Sequence, residues 1–262
     1  MKKHRSLLTF LVILLCLSIS ACSKIETASP EARDTLYQVS TINSLMAGNY
    51  DGIKSIKEVS SKGDFGIGTF DTLDGEMVMI DGIVYKAKAD GTVEKSDVNV
   101  TLPFTAVTYF DDDLSKDAGQ IQNLDELKAL LDKMILKKDR FYAIRIDGTF
   151  TTIQARSVPS QVKPYPVLSE VTKHQAVFNY ENVKGSLVGF WCPDTVGSIN
   201  VPGYHLHFIS DDRTKGGHLL NISFSNAKVM LDETRFFEME IGEAASQGGI
   251  NDAQKEIDKV EK

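Results

Sequence analysis

A β-rich α+β fold is what this sequence predicts, on three observations. Two Asp-Gly pairs, at 81–82 and 147–148, sit between short apolar runs, which is a hairpin signal. One long segment, 123–138, carries helical periodicity, and most other apolar residues fall in strand-length runs. A parallel sheet would need more long crossover helices than the chain supplies, so the strands are expected to pair mainly as hairpins.

The chain opens with an export signal. Lys2, Lys3 and Arg5 precede an almost uninterrupted apolar run from Leu7 to Ile19, too short to span a bilayer comfortably. The run ends in Ile19-Ser20-Ala21-Cys22, the form of a bacterial lipobox. Cys22 is then the lipid-carrying first residue of an exported bacterial protein, extracellular or held at the cell membrane; plain cleavage at a small-residue site is the alternative, and both export the chain. Loss of residues 1–21 moves the formal charge from −7 to −10, and an anionic body argues against nucleic acid as a partner. Cys16 leaves with the signal, so Cys192 is the one free thiol, no intrachain disulfide is available, and the core must hold the fold. In Trp191-Cys192-Pro193 that thiol reads as buried and inert.

Beyond a polar tether at 22–35, the elements follow in order. Ser40 caps a short helix carrying Ile42, Leu45 and Met46, which Gly48 stops. The glycines at 63, 66, 68 and 75 imply tight bends or close backbone approach, in a spacing that matches neither a dinucleotide fingerprint nor a phosphate loop. Met77–Ile80 and Ile83–Ala87 flank Asp81-Gly82 as a hairpin. Asp111-Asp112-Asp113 lacks the spaced oxygen ligands of a calcium loop and reads as a solvated turn. Asn123 and Glu126 stand in capping-box spacing at the head of the long helix, which runs to Lys138 with Leu124, Leu127, Leu130, Leu131, Met134 and Ile135 in one stripe. Tyr142–Ile146 and Thr149–Ile153 flank Asp147-Gly148 as a second hairpin. Strands are then expected at Leu187–Trp191, Tyr204–Ile209, His218–Phe224 and Arg235–Ile241, and residues 251–262 form a short helix or docked tail with Ile257 and Val260 three apart. His174 reads as a surface residue.

Three histidines cluster in Gly203-Tyr204-His205-Leu206-His207-Phe208 and Gly216-Gly217-His218. On a strand, His-x-His places both imidazoles on one face, and a third on the neighbouring strand can complete a three-nitrogen metal site. Three protein ligands leave a divalent ion one open position, as catalytic centres require. Taken alone, the cluster is compatible with hydrolysis, oxygen chemistry or simple ligand capture; Glu76 and Arg156 taken alone read as surface groups.

Set together, the export signal, the segment Gly63-Asp64-Phe65-Gly66-Ile67-Gly68-Thr69 to Asp74-Gly75-Glu76, and the segment Asn200-Val201-Pro202-Gly203-Tyr204-His205-Leu206-His207 to Gly216-Gly217-His218 resemble the α-acetolactate decarboxylase family, from about Leu36 through Glu240. The resemblance implies zinc, or another divalent metal, held by His205, His207 and His218. It implies an acidic group at Glu76, a substrate-binding Arg156, a pocket hydroxyl at Thr69, and a second carboxylate from the C-terminal tail, Glu261 first and Glu256 second. It also implies a homodimer and two α/β subdomains with mixed β-sheet and barrel-like elements, placed here at 36–160 and at 161–262, the second metal-binding, with the boundary at the cluster Pro159, Pro164 and Pro166.

Decarboxylation of 2-acetolactate to acetoin explains the residue types. Loss of carbon dioxide leaves an electron pair as an enediolate, and a metal ringed by neutral imidazoles is an electron sink for it. Arg156 can grip a carboxylate by a planar two-point contact, and Glu76 or the tail glutamate can return a proton. Two other readings compete: a cupin-like or other three-histidine metalloenzyme, and an exported lipoprotein that binds zinc or a small ligand. Cupins usually carry a Glu soon after His-x-His and a last His on a more distant strand, where this chain has only Asp211 and an early His218.

Overall fold

A computed structural model describes residues 28–242 together with Ile257 and Val260. The expected signal segment, Cys22, Glu256 and Glu261 lie outside the described residues. In chain order the strands are β1 (Thr35–Val39), β2 (Lys54–Ser55), β3 (Phe65–Thr69), β4 (Glu76–Ile80), β5 (Ile83–Ala87), β6 (Val93–Lys95), β7 (Thr101–Leu102), β8 (Phe104–Thr108), β9 (Leu114–Ala118), β10 (Phe141–Ser157), β11 (Ala176–Cys192), β12 (Gly203–Ser210), β13 (Gly216–Thr234) and β14 (Phe236–Glu240). The helices are α1 (Pro30–Arg33), α2 (Ile42–Met46), α3 (Ile56–Val59), α4 (Leu124–Met134) and α5 (Leu168–Val171). The fold is β-rich α+β, as its sequence predicts.

Seven strands form a mixed sheet in the order β14-β1-β8-β3-β4-β5-β6, parallel only between β1 and β14. A second sheet runs β10-β11-β12-β13-β9, and β13 also pairs with β10, which closes the four long strands into a barrel. The barrel interior is apolar: Ile144, Ile146, Phe150, Leu187, Leu206, Phe208 and Phe224 meet Leu127, Leu131 and Met134 of α4. Between barrel and sheet lies another cluster, in which Leu36, Phe65, Ile67, Val78 and Ile80 pack against Val188, Phe190, Cys192 and Ile209. Alternation along β12 therefore sends Leu206 and Phe208 into the barrel and His205, His207 and Ile209 outward toward the seven-stranded sheet.

Asp81-Gly82 makes the expected hairpin: Ile80 pairs with Ile83, and both turn residues have positive φ, 52° and 73°, as a type I′ turn demands. Asp147-Gly148 does not. These two residues lie inside β10, which runs unbroken for 17 residues against β11 and β13. Gly148 is needed there because a Cβ would stand 2.8 Å from the Ala227 Cβ, and the register shifts between Gly148 and Phe150 and again before Thr152. A glycine at a strand irregularity gives the same local signal as a glycine in a turn.

Helix boundaries also differ. α4 begins at the Asn123 cap, whose side chain accepts from Glu126 N, but it stops at Met134, so Lys137 and Lys138 lie beyond it. Lys137 pairs instead with Glu233 and Lys138 with Asp132. The cap of α2 is Thr41 rather than Ser40, which is buried at φ 63°. Pro30–Arg33 of the expected tether form α1, docked through an Arg33–Asp111 pair. Asp112 pairs with Lys228, and Asp113 accepts from Glu233 N, so the triple-aspartate segment is a turn tied to β13. Cys192 is buried, and burial pushes its thiol pKa up. His174 is exposed.

Candidate metal centre

His207 pairs directly with His218 across β12 and β13, and His218 pairs with Arg156 across β13 and β10. His205, two residues before His207, shares its face. The three rings stand 5.1 to 5.3 Å apart between centroids, and one nitrogen from each lies within 4.8 Å of the others. From the opposite layer, Thr69 ends β3 and Glu76 begins β4 as register partners, bringing a hydroxyl and a carboxylate to the same place. Thr69 Oγ1 donates to the Gly75 carbonyl at 2.8 Å, which leaves its lone pairs to accept. Gly75, at φ +89°, lets the turn come back this tightly; its Cβ would stand 2.6 Å from the Ala87 carbonyl oxygen.

A backbone contact locks the two layers at the site. His207 Nδ1 lies 2.8 Å from the Met77 carbonyl oxygen, so Nδ1 carries the proton and donates, and Nε2 presents a lone pair. That Nε2 is buried and has no hydrogen-bond partner. The Glu76 carboxylate faces it at 3.6 Å, longer than a hydrogen bond. An ion pair would require a protonated imidazole, and burial opposes one. Burial, with Arg156 second, pushes His205 down to about 3; burial and His205 hold His207 well below its ordinary value, though the Met77 carbonyl pulls the other way. Burial and Arg156 do the same to His218. Three neutral imidazoles in a water-poor pocket are in the protonation state a metal needs, and the orphaned Nε2 fits that role. Among the described residues the set offers three nitrogen donors that could hold a divalent ion.

Arg156 reaches the site because β10 changes phase. Its barrel-facing residues are even-numbered at Ile144, Ile146 and Phe150, then odd-numbered at Ile153 and Ala155. The intervening shifts turn Arg156 outward, toward the histidines. The cavity around these groups is narrow, about 40 Å³. Its polar lining is Thr69, Glu76, Arg156 and the three histidines; Ile42, Leu45, Phe104, Leu168 and Val260, members of one apolar cluster, form its apolar wall. Every expected site residue among the described ones lines this cavity. Ile257 and Val260 pack into the cluster with Ile42, Leu45 and Leu168, and Val260 lines the cavity itself. The apolar wall has no sequence signal beyond helix spacing at Ile42 and Leu45, and Gln175, which holds Arg156, has none.

Comparison with known proteins finds a family and a matching fold. The sequence model of the family described as alpha-acetolactate decarboxylase matches residues 36–247. An alpha-acetolactate decarboxylase of Methanosarcina mazei is 44% identical over 237 residues, 89% of this chain and 82% of the relative. One of Brevibacillus brevis is 39% identical over 82% of this chain and 75% of the relative. The crystal structure of the Bacillus subtilis alpha-acetolactate decarboxylase superimposes with a TM-score of 0.84 at 35% identity, covering 87% of this chain and 99% of that one.

Proposed function

The chain belongs to the alpha-acetolactate decarboxylase family, and from that premise we infer that its three-histidine centre carries out the metal-dependent decarboxylation of 2-acetolactate to acetoin. The enzyme is a carbon–carbon lyase. What carries the metal-dependent reading is one observation: the unpartnered lone pair of His207 Nε2, grouped with two further neutral imidazoles and faced by Glu76.

In acetolactate the carbon bearing the carboxylate also bears a hydroxyl and adjoins a ketone. Breaking the bond to the carboxylate releases carbon dioxide and leaves its electron pair delocalised onto the former ketone oxygen as an enediolate; one proton then gives acetoin. His205, His207 and His218 would hold a divalent ion, zinc or another, which when bound would supply Lewis acidity for that charge. Arg156 grips the departing carboxylate and turns the scissile bond toward the centre. Glu76, on the rigid start of β4, or Glu261 from the tail holds the proton delivered to one face, a contribution worth about 10² to 10⁴ in rate. Thr69 accepts from the substrate hydroxyl. The apolar wall takes the two methyl groups and excludes water.

Also part of this reading are export through residues 1–21 and a lipid on Cys22, which rest on the sequence, and a homodimeric assembly, which rests on the family resemblance. Among the described residues, no helix is long and apolar enough to cross a membrane.

The test is acetoin formation from racemic acetolactate, with and without a chelator, alongside metal analysis. His207→Ala is expected to lose metal and activity together. Full activity of the metal-free protein would sink the mechanism, and tight zinc binding without turnover would favour a ligand-capture lipoprotein instead.

A further inference from the structure

We propose that Gln175 is a positioning residue: it fixes how Arg156 presents its guanidinium to a carboxylate-bearing substrate. This rests on the reading of Arg156 as the carboxylate grip. Arg156 is 4% exposed, and its Nε is buried without a hydrogen-bond partner. Among the described residues, its one side-chain hydrogen bond runs from Nη1 to Gln175 Oε1 at 3.1 Å, and no ion pair among those residues includes it. A buried arginine whose partner among the described residues is a neutral amide is unusual, because a charge in a low-dielectric site ordinarily recruits a carboxylate.

The choice of partner has a chemical consequence. An amide oxygen takes one of the five guanidinium donors and leaves the charge uncompensated. The remaining donors, still in their planar fork, match a substrate carboxylate. A glutamate at 175 would take two donors and cancel the charge, competing with the substrate for the same group.

Gln175 is also well placed to hold a fixed position. It follows the 3-10 turn Thr172–His174, where its N–H donates to the Thr172 carbonyl at 3.2 Å, and it leads directly into β11. That turn continues α5, whose Leu168 and Val171 are buried in the cluster that walls the cavity. The amide therefore approaches Arg156 from a packed support, two residues before Val177, the β11 register partner of Arg156.

The experiment compares Gln175→Glu, Gln175→Ala and Arg156→Gln in the full-length, metal-loaded enzyme, reading KM and kcat for acetolactate, the inhibition constant of acetoin, and bound zinc. Acetoin keeps the vicinal oxygens but has no carboxylate. Gln175→Glu is expected to raise KM for acetolactate about tenfold or more, with kcat changed far less. Gln175→Ala should raise KM by about 2- to 12-fold, the worth of one hydrogen bond. Zinc content and acetoin inhibition should stay at parental values in both. A parental KM in Gln175→Glu, or an equal weakening of acetoin, would overturn the proposal; if that variant does not fold, a parental KM in Gln175→Ala does the same. Arg156→Gln separates the two readings: if its KM is parental the carboxylate grip itself is wrong, and if it is severely impaired while the Gln175 variants are parental only the positioning role fails.

Discussion

Replacing Gly217 with alanine tests whether the Gly-Gly-His sequence is a structural requirement of the centre. Gly217 sits at φ +142°, where side chains are rarely tolerated, with its backbone paired to Phe208 on one flank. On the other flank an added Cβ would stand 2.6 Å from the Arg156 carbonyl oxygen and 3.2 Å from the Ala155 Cβ. Both obstacles belong to β10, so neither can rotate away. The strained dihedral costs about 1–3 kcal/mol. Forcing β13 away from β10 costs about another 1–3 kcal/mol, as overpacking does in a tight core. Together they lower stability by about 2–6 kcal/mol, a urea midpoint shift of about 1–2 M for a protein of this size. The movement relieves a contact between the residue beside His218 and the backbone of Arg156, so it displaces both site residues. A misplacement of that kind costs up to about a hundredfold in rate. The assay is urea unfolding of metal-loaded and metal-free Gly217→Ala, with zinc titration and acetoin kinetics. A midpoint within about 0.2 M of the parent together with parental zinc affinity would refute the reasoning.

Two further outcomes are expected. The metal-free protein should lose stability as pH falls from 6.5 to 5.5, because the unfolded chain protonates its imidazoles near pH 6.5 whereas burial keeps His205, His207 and His218 neutral in the fold, His205 down to about 3. Each contributes a slope of up to about 1.4 kcal/mol per pH unit, read as a falling urea midpoint in chelator; a flat midpoint would contradict the buried neutral imidazoles. Val260→Asp, which puts a charge into the cluster with Ile42, Leu45 and Leu168, should cut kcat/KM about tenfold or more while the circular dichroism of the sheets is retained, as should deletion of everything after Asn251. Normal turnover in either variant would remove the tail from the site.

Local chemistry made much of this protein legible. The His-x-His spacing sufficed to put two imidazoles on one face of a strand, and Asp81-Gly82 sufficed for a hairpin, since each depends only on backbone geometry within a few residues. The same reasoning misread Asp147-Gly148, because a glycine that avoids Ala227 on a strand 79 positions later looks locally identical to one that makes a turn. It also ran α4 past Met134, since lysines suit a helix end whether or not they pair elsewhere with Glu233 and Asp132.

What sequence determined by itself, then, was the β-rich class, the three histidines that can act as nitrogen donors and, through resemblance, the family to which the chain belongs. Which groups face those donors was decided only by tertiary structure. Glu76 and Thr69 arrive from a different sheet, Arg156 turns inward to the site only because β10 shifts its register, and Val260 closes the wall from the far end of the chain. Each placement depends on contacts between distant segments, where side-chain direction follows from packing and bulges rather than from local residue pattern.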